Sequence, residues 1–221
     1  MKKLLAIALL SLLPFYALAE EAKTDAPAQE SAIVVAAPTP PPPATRLWEM
    51  DAAESSITFH GKQMGKDFNG SILQFTPQIY FDPAQLDQSK VTVELDLQTI
   101  EAGDSERNKN LLSPDWLNIL EFPTARFETA SIKKTDASTY IADATLTIHG
   151  MIQELEFPFT IDFAGEGKGK YSGKDKAVMT GAVTLDRSKF QLGQGDWADP
   201  SVIANEIPVE VKVTAYSAKP Q

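Results

Sequence analysis

Apolar and polar residues alternate with a period of two along most of the chain, and that alternation limits its fold more than any other feature. Val91, Val93, Leu95 and Leu97 are interleaved with Thr92, Glu94, Asp96 and Gln98. Leu155, Phe157, Phe159, Ile161 and Phe163 are interleaved with Glu156, Pro158, Thr160 and Asp162. Ile207, Val209, Val211 and Val213 alternate in the same way with Pro208, Glu210, Lys212 and Thr214. Successive side chains of a strand point to opposite faces, so each run presents one apolar face and one polar face. Antiparallel strands solvated on one side have this pattern. Further strands are expected over Ser55–Lys62, Asp67–Phe81, Ala125–Lys133, Thr139–His149 and Ala177–Arg187. About eight such strands, joined mostly by hairpins, must hide their apolar faces, and an up-and-down barrel or a sandwich does so.

Three segments interrupt the alternation. Ala102–Asn118 (AGDSERNKNLLSPDWLN) carries helix formers ahead of Leu111, Leu112 and Trp116, and reads as a short helix followed by a tight turn across one end of the sheet. Gly165–Lys176 (GEGKGKYSGKDK) lacks the Gly-x-x-x-x-Gly-Lys-Ser/Thr spacing of a phosphate loop and reads as a hairpin connection. The third runs on from Arg187 as RSKFQLGQGDWADPSVIANE, with two glycines and two large aromatics. Glycine permits a tight turn, whereas Phe190 and Trp197 demand an apolar surface to cover.

The N-terminal residues differ in kind from the rest. Lys2 and Lys3 precede an apolar run from Leu4 to Leu13, and Ala17-Leu18-Ala19 offers the small residues a signal peptidase cleaves after. A secretory leader over Met1–Ala19 is expected, and with it a periplasmic location. Residues 20–45 are rich in Ala, Pro and acidic side chains, including four consecutive prolines from Pro40, and are expected to form a disordered linker to a domain over 46–221. The chain has no cysteine, so an exported domain would hold together without disulfides. Its net charge of −10, made more negative by losing the leader's lysines, opposes nucleic acid as a partner.

Catalysis has little to stand on. The two histidines, His60 and His149, both lie in strand contexts without a neighbouring Ser or Cys motif, and no spacing suggests a metal site. Neither a catalytic group, a metal nor a cofactor is expected. Arg107 has two readings: a cation near an opening, able to meet a carbonyl or pyrophosphate, or a local ion pair with Asp104 on the helix.

Several ordered pieces resemble the YceI-like family, lipocalin-like periplasmic proteins that bind polyisoprenoids. The first is Trp48-x-x-Asp51 followed by Ser56-Ile57-Thr58-Phe59. Phe68-x-Gly70, Ile79-Tyr80-Phe81-Asp82-Pro83 and Arg107-Asn108 come next, then Asp115-Trp116-Leu117, Phe122-Pro123 and Ala125-Arg126-Phe127. Leu146-Thr147-Ile148-His149-Gly150 and Asp186-Arg187 through Phe190-x-Leu192-Gly193-Gln194-Gly195-x-Trp197 complete the set. The resemblance implies an all-β, antiparallel lipocalin-like barrel of about eight strands enclosing an elongated apolar cavity for an isoprenoid lipid, a polyprenyl chain or quinone tail. It also implies a respiratory partner, such as a membrane b-type cytochrome. The alternative is a stress-related barrel that acts through a protein partner, its lipid incidental.

In a barrel the inward set would line the cavity. Phe59, Leu95, Leu97 and Phe127 belong to it, as do Ala142, Ala144 and Leu146 on one strand and Phe157 and Phe159 on the next. Met179, Gly181 and Val183 follow, and the small members leave room that either bulky neighbours or a ligand must fill. Leu111 and Trp116 from the helical segment, with Arg107, Phe190 and Trp197, would stand at the barrel end. There the Trp197 indole N–H would be free for a head group, or both aromatics would simply plug the end.

Overall fold

A single antiparallel meander runs from Leu47 to Ala218 in a computed structural model that describes residues 45–219. The leader expected over Met1–Ala19, and all but the last residue of the linker expected over 20–45, lie outside those residues. The first three passes of the meander are each bent into two strands. They are β1 (Leu47–Met50) with β2 (Ser56–Gln63), β3 (Lys66–Ile72) with β4 (Phe75–Tyr80), and β5 (Lys90–Asp96) with β6 (Ile100–Glu101). The one α-helix among the described residues, α1 (Ser105–Leu111), follows them. Five long passes complete the fold: β7 (Thr124–Lys134), β8 (Thr139–Ile148), β9 (Met151–Glu166), β10 (Lys174–Asp186) and β11 (Glu206–Ala218).

Every pass pairs with its neighbours in sequence, and the last returns to the first. β11 pairs with β1 through Glu49↔Tyr216 and with β2 through Ile57↔Val211, which closes an eight-stranded barrel. Closure removes the free edges that an open sheet of these strands would expose.

The bends lie side by side and have a local cause. Asp51 and Asp96 each accept a backbone N–H two residues on, from Ala53 and Gln98, and so cap one-turn 3-10 segments at Ala52–Glu54 and Leu97–Thr99. Aspartate competes in this way with the sheet ladder. Leu73 N–H to Thr99 O (3.3 Å) and Asp96 N–H to Gln74 O (3.0 Å) stitch the corner together. The strand expected without a break over Asp67–Phe81 is therefore two, parted at Leu73 and Gln74. The segment expected to hold a short helix and then a turn does so: α1 ends at Leu111, and turns carry the chain on to Phe122.

Apolar side chains meet inside in two clusters. One gathers Trp48, Phe81, Tyr140, Phe157, Phe159 and Ile161; the other gathers Ile57, Leu95, Leu97, Leu117 and Ala125. Yet inward residues such as Val91, Val93, Phe127, Met179, Val209 and Val211 are only half-buried. Burying such a side chain completely contributes about 1.5–3 kcal/mol. The fold leaves part of that unrealised, because the interior is hollow.

Candidate functional site

The hollow is one apolar cavity of about 600 Å³ along the barrel. Pockets of roughly 300–1,000 Å³ hold ligands of drug size. The walls are almost entirely aliphatic and aromatic, and the polar lining is concentrated at one end, in Gln63, Asp104, Glu106, Arg107, Asn110 and Arg187. Asp104 and Glu106 are exposed, so this end is the mouth. Trp48, Phe81, Ala177 and Ala215, all buried, line the other end.

Three segments frame the mouth. The tip of the β2–β3 hairpin is tied to the last connection by Met64 N–H to Val202 O (2.8 Å) and Ala204 N–H to Lys62 O (3.0 Å). That connection is tied to the turns after α1 by two N–H groups, Gly193 and Gln194, which both donate to Asp115 O. Those turns are tied to the helix by Leu117 N–H to Leu111 O (3.0 Å).

Arg187 organises the connection from within. It is 3% exposed, and its guanidinium donates to the carbonyl oxygens of Ala204, Leu192, Gly193, Trp197 and Ile203 at 2.7–3.2 Å. Burial pulls its pKa below the usual guanidinium value, and the neighbouring Asp186 charge acts the other way. Gly193 is required twice over. Its φ of +73° suits glycine, and a Cβ there would fall 2.6 Å from Arg187 Nη1 and 2.9 Å from the Trp116 ring. The Arg187 guanidinium also faces the Trp116 ring at 5.5 Å, and Trp116 packs on Trp197 with centroids 6.2 Å apart.

Arg107 is not paired with Asp104. The Asp104 carboxylate caps α1, accepting the backbone N–H groups of Glu106 and Arg107. The Arg107 guanidinium instead donates to Ala102 O at 2.7 Å, reaches Gln63 Oε1 at 3.4 Å and lies 4.3 Å from the Phe68 ring centroid. The capping aspartate is used up by the backbone, which leaves the guanidinium to the mouth.

Phe59, Leu95, Leu97, Arg107, Leu111, Trp116 and Phe127 line the cavity as the sequence suggests. So do Ala142, Leu146, Phe157, Phe159, Met179, Val183, Phe190 and Trp197. Ala144 and Gly181 do not. Ala144 is buried in register between Thr129 and Leu155, whose side chains share its face. At Gly181 a Cβ would fall 2.5 Å from the Phe157 ring, so the space left by the glycine is filled by that ring. Of the two aromatics in the last connection, Phe190 is core and Trp197 is half-buried at the mouth. A second indole stands out: Trp116 Nε1–H is buried and donates to no acceptor among the described residues. Sequence reasoning did not place Gln63, Phe68 or Arg187 in the site, although Phe68 and Arg187 belong to the pieces that carry the family resemblance. Gln63 and Phe68 flank the Met64-Gly65 hairpin tip, and Arg187 immediately precedes the glycine- and aromatic-rich connection, which was the available signal.

A family model described as the YceI-like domain matches residues 48–215. Two UPF0312 proteins of Pseudomonas putida are similar. One, from strain F1, is 30% identical over 142 residues, covering 64% of this chain and 72% of the relative. The other, from strain W619, is 31% identical over 145 residues, covering 66% and 70%. Among solved structures, Burkholderia cenocepacia BcnA superposes with a TM-score of 0.67 at 26% identity, over 75% of this chain and 99% of that one. A polyisoprenoid binding domain from Saccharophagus degradans, implicated in plant cell wall breakdown, shares the fold. Its TM-score is 0.57 at 12% identity, over 77% and 98% of the two chains.

Proposed function

The chain belongs to the YceI-like family, and on that premise we propose that it binds and carries an isoprenoid lipid, with the prenyl tail in the barrel and the head at the mouth. One observation carries the reading: an apolar cavity of about 600 Å³ runs the length of the barrel and meets charged and amide side chains at one end only. Such a shape suits an amphiphile with a long apolar part and a small head. The polyisoprenoid binding domain with the same fold supports the choice of a prenyl tail over an acyl chain. Export to the periplasm rests on the leader pattern of Met1–Ala19, and exchange with a membrane b-type cytochrome or another respiratory partner would take place at the mouth.

Native mass spectrometry of the protein purified without detergent from its host tests the reading. The expected spectrum shows a bound species that organic extraction releases and fragmentation identifies as prenyl. A protein that carries only acyl lipids, and takes up no prenyl lipid from micelles after stripping, would refute it.

A further inference from the structure

The end of the cavity opposite the mouth is closed by two aromatic rings set among small side chains. Trp48 and Phe163 both line the cavity there and pack together with centroids 6.2 Å apart. Ala177 is in register with Phe163 on one side and with Ala215 on the other, so the wall at this level has little bulk of its own. The two rings therefore decide how far the hollow extends.

They are held very differently. The Trp48 indole N–H donates to Phe81 O at 2.9 Å, and the Arg46 guanidinium stands over its ring at 4.8 Å. Arg46 is fixed in turn by Asp175 at 2.8 Å and by Ala218 O at 2.9 Å. Phe163 has no such frame. Along β9 the inward residues Phe157, Phe159 and Ile161 are buried, whereas Phe163, the next in the series, is 45% exposed. Among the described residues Trp48 is its one aromatic neighbour. A ring that lines the cavity and also meets solvent marks the place where the hollow reaches the surface.

We infer that Phe163 sets the length of the longest prenyl tail that the barrel encloses. A tail that stops short of this ring stays dry from end to end, as it was in a bilayer. A further unit must displace the ring or pass it into water, and apolar surface returned to water weakens binding. Nothing at this end competes for a head group: Arg46, Lys174 and Lys219 each hold a carboxylate at 2.6–2.8 Å. The assignment rests on the proposed lipid binding and adds the tail length that the site selects.

Prenyl alcohols of graded tail length, all with the same head, test it. Pairs of them compete from micelles for the lipid-stripped protein, and native mass spectrometry reads the bound fractions. The wild type should take the shorter alcohols about equally and, beyond one limiting length, bind each longer one several-fold less. A phenyl ring matches a single prenyl unit in bulk, so Phe163→Ala should raise that limit by about one unit. Phe163→Trp should lower it, and its larger ring has room because the position is half open to solvent. A limit that stays the same in all three proteins would overturn the role of Phe163 and leave lipid binding intact. Equal binding at every length by the wild type would show that the end is not closed, and would overturn it too. Failure of every alcohol to bind would count against the proposed function itself.

Discussion

Adding the same phenyl ring at two inward positions should give opposite results, depending on whether each faces the cavity or packed protein. Val93 lies on β5 between Pro77 and Phe127 in the neighbouring strands, lines the cavity and is only half-buried. Ala144 on β8 is 4% exposed, lies between Thr129 and Leu155 and does not reach the cavity. Ala144→Phe must push neighbours aside and should cost about 1–3 kcal/mol. Val93→Phe has room to extend, so the lipid-free variant should equal or exceed the wild type in stability. Its ring would take the place of about two ligand methylenes, each contributing ~0.8 kcal/mol, and binding should weaken by roughly tenfold or more. Urea unfolding of lipid-stripped protein, followed by titration with a prenyl ligand, reads both effects. If Val93→Phe were destabilised as much as Ala144→Phe, the interior would be packed and the cavity assignment wrong.

Other positions give sharp expectations. Gly181→Ala sets a methyl against the Phe157 ring and against Pro158 O at 2.9 Å, so Phe157 should swing into the cavity. We expect a loss of about 1–3 kcal/mol together with weaker lipid uptake, and unchanged uptake would speak against the ring shift. Arg187→Met strands five carbonyl groups and should cost more than about 3 kcal/mol, with hydrogen exchange rising first across residues 190–204. Exchange that rises evenly over the barrel would contradict that local role. Hydrogen bonding from Lys90 holds the Glu128 carboxyl below its ordinary value, and hydrogen bonding from Ser188 does the same for Asp186. Groups shifted in this direction contribute stability above the unfolded carboxylate range and lose it as pH falls through their folded values. Urea midpoints should therefore hold steady near neutrality and drop below about pH 4.5; a midpoint that rises on acidification would refute the assignment.

The strands were legible because alternation is a local property, readable from Val91 or Phe157 without knowing any partner. The bends at Ala52–Glu54 and Leu97–Thr99 were not, since Asp51 and Asp96 read equally well as outward strand residues until their side chains are seen capping. Hollowness was also invisible. Val93 and Val213 occupy the same kind of position in the same kind of pattern and both line the cavity, yet one is half-buried and the other is buried. Small residues misled for the same reason: the gap at Gly181 belongs to Phe157, a residue on another strand. The role of Arg187 was not legible because all of its hydrogen-bond partners are backbone carbonyls, which leave no mark in side-chain sequence.

The reference state of the ligand decides which of these features governs affinity. Measured from water, a prenyl tail at ~0.8 kcal/mol per methylene would soon exceed the practical ceiling of about 20 kcal/mol for non-covalent binding. A lipid does not arrive from water but from a bilayer, where its tail is already dry. Moving the tail between two apolar surroundings changes the hydrophobic term little, so the long walls of the barrel provide solubility and not selectivity. Discrimination must then come from groups that interact differently with different lipids, and in this cavity the polar ones gather at the mouth. The Arg107 guanidinium, without a carboxylate partner among the described residues, is modest in energy, a hydrogen bond or two. Set against a tail term near zero, that modest energy is enough to rank one head group above another. It is also weak enough to let the lipid leave, as a carrier requires.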